Sequence, residues 1–257
     1  MKSTILSEKD SKLIEKAILQ YGRILNIRDL MSIFQEDYSK ASAHNRINLL
    51  VRSGWLRRIK QGLYLIIDSL TARSGIDVSL LIIANALVKN SYVSLAHALN
   101  YYQLFDQYST TIASITTNGS KKYLFDSYTF KYSKIKQAMY FGFVEKIVNG
   151  KKVRLAEAEK ALIDYLYLDK SFGSASLVFE KLKENHQDLN INKLQEYAVR
   201  SGFTVARKIG FMLDQLNLDS VILHQAVQSN RSFSRFTAGS KTFNAKWRLY
   251  YDDRIIR

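Results

Sequence analysis

The chain of 257 residues contains no cysteine and no proline. Without cysteine there are no disulfides, no thiolate nucleophile and no thiolate zinc site. That usage fits a reducing compartment, and a cytoplasmic location is expected. Without proline, turns must be built from Gly, Asn, Asp and Ser. Long hydrophobic runs are also missing. The longest, around residues 80–88, is interrupted by Asn85 and falls well short of the roughly 20 apolar residues of a membrane span. The first residues are polar after one short apolar step, which is not the pattern of a secretory signal. Acidic residues are few: 23 Asp and Glu stand against 38 Lys and Arg, a formal charge of +15. Such an excess favours polyanionic partners. Apolar residues make up 47% of the chain, enough for a real core and against global disorder.

The local scarcity of acid is sharpest between Ser39 and Gly62. That stretch holds Lys40, Arg46, Arg52, Arg57, Arg58 and Lys60 and no carboxylate. Apolar spacing upstream predicts helices over 11–21 and 26–34, with Asn26 as a cap of the second. A third helix is expected over 41–53 and ends at Gly54. Two strands, 55–59 and 63–67, then flank a turn at Lys60, Gln61 and Gly62. Three helices and a hairpin make a winged helix-turn-helix. Its third helix enters the major groove in the docking mode of that motif.

On that helix Ala43, Ile47, Leu50 and Val51 share one face, which should pack on the first two helices. Asn45 and Arg46 are then the best candidates for reading base edges, because Asn pairs bidentately with adenine and Arg with guanine. Ser39, Lys40 and Ser42 are expected at phosphates, or in mixed contacts. Arg57, Arg58, Lys60 and Gln61 on the wing should reach the backbone or the minor groove. Leu49 points outward in this scheme and fits poorly, and His44 lies nearer the core side.

A linker is expected over 68–75, dividing the chain into a DNA-binding domain, 1–70, and a second domain, 71–257. In the second domain helices are expected over 77–89 and 94–102. Strands rich in Thr, Tyr, Phe, Ile and Val follow over 111–118, 123–135 and 138–148, with Asn118-Gly119 and Asn149-Gly150 as turns. They predict a small antiparallel sheet. Helices resume over 156–168, 176–184, 192–201 and 204–216, and a last strand is expected over 246–251. Strands clustered between helices give an α+β fold. In the tail, cations alternate with Phe233, Phe236, Phe243, Trp247, Tyr250 and Tyr251. Such interleaving can bind RNA by stacking and charge; it is also the pattern of an ordinary edge strand with one buried face.

Catalytic signatures are sparse. Gly173-Ser174 has no paired carboxylates behind it for Mg2+. Glu157 and Glu159 stand two apart on a helix and should face different ways. The histidines, His44, His97, His186 and His224, are dispersed, and there is no Gly-x-Ser-x-Gly elbow or Gly-rich phosphate loop. No catalytic residue, metal site or cofactor is expected.

Four ordered segments resemble a known family. Gly54-Trp55-Leu56-Arg57-Arg58-Ile59-Lys60-Gln61-Gly62-Leu63-Tyr64 is similar to the wing of AbiEi-type antitoxin regulators. Ser91-Tyr92-Val93-Ser94-Leu95-Ala96-His97-Ala98-Leu99 resembles a helix start of that family. Ala156-Glu157-Ala158-Glu159-Lys160-Ala161-Leu162-Ile163-Asp164 resembles its "A-x-P-E-K-A-L-x-D" helix, with Ala158 where proline is usual. Phe243-Asn244-Ala245-Lys246-Trp247-Arg248-Leu249 resembles its closing element. The resemblance implies an antitoxin of a type IV toxin–antitoxin, abortive-infection (phage-defence) system. Its winged helix would bind inverted repeats in its own promoter and repress the operon. Its second domain would antagonise a nucleotidyltransferase-like toxin without a stable complex. Two monomers that meet only on DNA can fill inverted repeats, so a monomer in solution is the expectation. A transcription factor with a ligand-sensing or protein- or RNA-binding second domain is the alternative.

Overall fold

The computed structural model describes residues 6–68 and 76–256. The expected linker over 68–75 therefore lies, apart from Asp68, outside the described residues. The first helix, α1 (Glu8–Tyr21), starts at Ser7, whose hydroxyl accepts from the Asp10 amide, and stops at Gly22 in a positive-φ conformation. A short strand, β1 (Ile24–Asn26), leads straight into α2 (Ile27–Phe34). Asn26 and Asp29 form a reciprocal capping box there. Helix α3 (Lys40–Ser53) is capped by Ser39 and ended by left-handed Gly54. Strands β2 (Leu56–Lys60) and β3 (Leu63–Ile66) complete the unit. The order of this unit is α-β-α-α-β-β; β1, not expected from the sequence, adds itself to the hairpin in the order β1-β3-β2.

The second part is built on a six-stranded sheet. Helix α4 (Leu80–Leu87) precedes β4 (Ser91–Val93), and α5 (Leu95–Tyr101) precedes β5 (Thr111–Thr116), β6 (Lys121–Phe125) and β7 (Tyr128–Lys134). Strands β8 (Phe143–Val148) and β9 (Lys151–Ala156) close it. The order is β6-β7-β5-β4-β9-β8. It corrects the expected small antiparallel sheet: β5 runs parallel to β7, and β4 parallel to β9. The single strand expected over 123–135 is two strands, turned at Asp126 with φ 53°. Asn85, which broke the apolar run in the sequence, donates to the Arg154 carbonyl and accepts from the Arg154 amide. Its side-chain amide thus continues the ladder of β9 beyond the short β4.

Helices α6 (Ala158–Leu168), α7 (Phe172–Asn185), α8 (Ile191–Arg200), α9 (Phe203–Gln215) and α10 (Val221–Val227) follow. A small sheet of β10 (Ser234–Arg235), β11 (Thr242–Asn244) and β12 (Leu249–Tyr251) comes last. The strand expected over 246–251 is shorter than predicted, because Trp247 sits in the β11–β12 turn, fully buried. The fold is α+β.

Two apolar cores meet at one strand. Successive residues of β3 and its extension alternate between them: Tyr64 and Ile66 pack with α1, α2 and α3, while Leu63, Leu65 and Ile67 belong to the large core of the second part. Every residue of β3 is buried. Arg23, just before β1, ties the junction from the side. Its guanidinium holds Asp77 through two bonds of 2.8 and 2.7 Å and reaches Asp68 at 3.3 Å.

Within the second part, Gly210 of α9 faces the six-membered ring of Trp247, and a Cβ there would overlap it. In an open helix Gly→Ala gains about 1 kcal/mol. Here Gly210→Ala is expected to destabilise by about 1–3 kcal/mol, as overpacking does; a urea unfolding midpoint that stays level or rises would contradict the packing described.

Candidate nucleic-acid interface

Helix α3 buries Ala43, Ile47 and Leu50 against the amino-terminal core. Its outer side exposes Lys40, Ala41, Ser42, His44, Asn45, Asn48, Leu49 and Arg52. Positions 41, 45, 48 and 52 form one stripe at helical spacing. His44, expected nearer the core, is exposed beside it, and Asn48 was not singled out from the sequence. Both follow from the 3.6-residue period once Ala43, Ile47 and Leu50 define the inner face. Ser39 and Ser42 bond to each other at 3.0 Å within the cap, so their hydroxyls are already part of the helix start.

Arg46 has a different place from the one expected. It leaves α3 on the flank and closes on Asp10 of α1. Its Nε donates to Asp10 Oδ1 at 2.6 Å, one Nη donates to Asp10 Oδ2, and the same nitrogen reaches Ser7 Oγ at 3.1 Å. The Asp10 side chain is only 3% exposed. Burial alone would push its carboxyl up, but the bonds from Arg46 and Ser7 outweigh that and hold it below the ordinary carboxylate value. A guanidinium committed to both carboxylate oxygens is a strut between α1 and α3, not a reader of base edges.

The hairpin divides in the same way. Arg57 pairs with Asp126 in the β6–β7 turn and lies over the Phe125 ring at 5.1 Å. Lys60 donates to the Leu87 carbonyl at the end of α4 at 2.5 Å and lies 5.6 Å from the Tyr123 ring. Burial, then the charge of nearby Lys121, lowers the Lys60 pKa. Both side chains expected at phosphates therefore dock the hairpin on the second part. Arg58 stays exposed, its guanidinium 5.7 Å from the Tyr64 ring, and Gln61 is exposed at the tip. The tip does not project: the Ile27 amide donates to the Gly62 carbonyl at 2.9 Å. Of the expected contacts, the structure gathers Lys40, Ser42 and Asn45 on one exposed face, with Arg58 and Gln61 on the hairpin.

The segments that carry the family resemblance meet in the second core. Lys160 and Asp164 form an ion pair with both side chains shielded from solvent. Ser94 Oγ at 2.7 Å and Tyr92 Oη at 3.1 Å both donate to Asp164 Oδ2, while Lys160 Nζ donates to Tyr92 Oη at 3.0 Å. Burial pushes the Asp164 carboxyl up against the pull of Lys160 and the two hydroxyls. This closed set of bonds fastens α6 to β4. Glu157 instead binds Lys193 and Tyr197 of α8, and Glu159 accepts from the Asn190 amide at 2.8 Å. Among the described residues no three His, Asp or Glu side chains come together as a metal-binding group, and no helix is long and apolar enough to cross a membrane.

A separate cleft of about 760 Å³ lies between the end of α1 with β1 and the surface formed by α4 and the β8–β9 hairpin. Arg23, Lys89, Lys151 and Glu145 stand in its wall. Lys151 lies across Gly22, where a Cβ would come within 2.6 Å of its Nζ.

No protein-family model and no curated protein matches the sequence. Among solved structures, the chain is similar to the RV2827C protein from Mycobacterium tuberculosis. The TM-score is 0.65 at 14% identity, over 98% of this chain and 94% of that one. That likeness shows a shared fold.

Removing Arg46 leaves the buried Asp10 carboxylate without its partner. Arg46→Ala should lower the unfolding free energy by about 1–2 kcal/mol, less than for a fully buried pair because the Arg46 side chain is 30% exposed. Because the Asp10 pKa is depressed in the folded state, this contribution is present above the unfolded value near about 3.9 and fades as pH falls through the folded one. Denaturant midpoints of the two proteins should converge below about pH 4. A gap that is constant with pH, or no gap at neutral pH, would remove the strut.

Proposed function

We propose that this protein is a DNA-binding autorepressor and the antitoxin of a type IV toxin–antitoxin system. Helix α3 is its groove-reading element. The observation that carries the DNA-binding half is the outer stripe of α3. The side chains of His44, Asn45, Asn48 and Arg52 are exposed and make no hydrogen bond or ion pair to another described side chain, and no carboxylate lies between Ser39 and Gly62. Exposed side-chain amides read adenine bidentately, and an exposed guanidinium at the far end suits a guanine or a phosphate. Lys40 at the amino-terminal end, with Arg58 and Gln61 on the hairpin, supplies backbone contacts. The element order of this unit supports the same docking. The antitoxin half is supported by the resemblance of the segments around Tyr92, Lys160 and Trp247 to AbiEi-type regulators. The partner in that reading is a nucleotidyltransferase-like toxin.

The shared strand β3 governs how the antitoxin half is tested. A chain cut at 70/71 would lose Ile59, Leu63, Leu65 and Ile67 from the large core, so growth rescue from the toxin calls for the full chain. Full-length protein with Asn45→Ala and Asn48→Ala should lose promoter repression and keep rescue. Rescue lost together with repression would tie the antitoxin activity to DNA binding and sink the division of labour.

A second reading is a regulator whose second part senses a small ligand. The cleft beside Arg23 and Lys151 favours it, because it opens between the two parts and is of ligand size. In that case promoter affinity would respond to a metabolite and no toxin would be neutralised.

Promoter binding should fall steeply with salt, since counterions are released from the phosphates. Asn45→Ala and Asn48→Ala should each cost roughly 1–3 kcal/mol of specific binding and relax sequence preference. Arg57→Ala should lower stability and leave the footprint on DNA unchanged. Gel-shift titrations on promoter and random duplexes check this; a footprint that depends on Arg57 but not on Asn45 would reverse the assignment.

A further inference from the structure

The large sheet is polarised by charge along its strands. Strands β4, β6 and β9 begin at one end of it, and β5, β7 and β8 finish there. The stretches that bound this end, residues 88–92, 115–122, 133–137 and 147–152, hold seven lysines and no carboxylate. The stretches that bound the other end, residues 94–95, 107–111, 125–128, 139–143 and 156–159, hold Asp126, Glu157 and Glu159 and neither Lys nor Arg. Of the seven lysines, Lys152 reaches Glu145 at 3.3 Å. The other six, Lys89, Lys121, Lys122, Lys134, Lys136 and Lys151, are exposed, and their side chains make no hydrogen bond or ion pair to another described side chain.

The hairpin of the amino-terminal unit lies along this sheet, and its tip is at the lysine end. Arg57, near the start of β2, meets Asp126 at the acidic end. Lys60, at the close of β2, donates to the Leu87 carbonyl at 2.5 Å, two residues before Lys89. Burial lowers the Lys60 pKa, and the nearby charge of Lys121 lowers it further. Exposed Gln61 therefore stands next to the lysines. The stretches that carry them are tied together. Asn118 Nδ2 donates to the Lys89 carbonyl at 3.4 Å, Thr116 Oγ1 to the Asn90 carbonyl at 3.0 Å, and the Lys134 amide to Ser120 Oγ at 3.0 Å. Clustered cations of one sign attract a polyanion. Lysine is a compact point charge, which suits phosphates rather than base edges.

We propose that the lysine end of the six-stranded sheet binds the phosphate backbone of the duplex that α3 reads, beyond the hairpin. The proposal rests on the promoter-binding reading and gives the second part of the chain a share in it. Arg57 and Lys60, expected at phosphates, hold the hairpin in place, and Lys121, Lys122 and Lys134 take over the contact with the backbone. Six strands about 4.8 Å apart make an edge of about 24 Å, the axial length of about seven base pairs at 3.4 Å each. The footprint then extends by about that length past the hairpin. It gains affinity there and no sequence preference, because only phosphates are met.

The test uses the full chain. The promoter duplex is trimmed until binding that depends on Asn45 is just retained, and it is compared with the same duplex extended by about ten base pairs, one helical turn, on each side. Anisotropy gives the affinity of both across a range of salt. The extended duplex should bind more tightly. The combined variant Lys121→Gln, Lys122→Gln, Lys134→Gln should erase that advantage and flatten the salt dependence by about 1 per lysine. It should keep the preference for promoter over random duplex and, being altered only at exposed positions, the unaltered Tm. A control with the same charge change elsewhere, Lys170→Gln, Lys183→Gln, Lys241→Gln, should leave both affinities and the salt slope as they are. A lysine variant that binds like the unaltered chain, or a control that loses as much, overturns the proposal while the promoter reading stands. If the unaltered chain shows no preference for the promoter, that reading fails by itself; a salt slope on random duplex that still flattens in the lysine variant supports the surface, and one that does not overturns it. Tighter binding of a single-stranded RNA than of the duplex through the same lysines overturns the duplex as the occupant.

Discussion

Strand β3 is buried on both faces, and the rest of the molecule is arranged around that constraint. Five successive residues, Leu63 to Ile67, alternate between two apolar cores. A strand of this kind is held from both sides, and its register decides which side chains serve which core. The hairpin is therefore not a free wing. It is the common wall of the helical unit and of the six-stranded sheet, and Arg23 with Asp68 and Asp77 closes its edge.

That wall decides the fate of the basic segment. A cation beside a docking surface finds carboxylates, carbonyls and aromatic rings there, and Arg57 and Lys60 are taken up by Asp126, the Leu87 carbonyl and the rings of Phe125 and Tyr123. Arg46 is taken up by Asp10 in the helical unit. Lys40, Arg52 and Arg58 stay in solvent. Half of a conspicuous charge cluster thus holds the protein together, while the exposed amides of α3, which add nothing to net charge, face outward.

The second part follows a related logic. Tyr92, Ser94, Lys160 and Asp164 form a closed polar set in the core, every member bonded to another. A satisfied network of this kind specifies how α6 sits on β4. Arg207 is its opposite: equally buried, and bonded only to the neutral acceptors of Asn230, Ser232 and Ser234.

The sequence by itself determined the local structure. Helical spacing placed α1, α2 and α3, Asn26 and Gly54 marked their ends, and the acid-free run from Ser39 to Gly62 pointed to α3 and its hairpin. These signals are local, set by periodicity and capping over a few residues. The sequence also placed Asn45 on the outer face. It did not reveal β1, because three residues carry too little periodicity, nor the parallel pairings of β5 with β7 and β4 with β9, because strand order depends on contacts distant in the chain. Only the tertiary structure decided which cations are free. Asp10 lies 36 residues from Arg46, and Asp126 lies in a turn of the other part. A charge becomes a strut or a contact according to what folds against it, and helical phase alone carries no record of that neighbour.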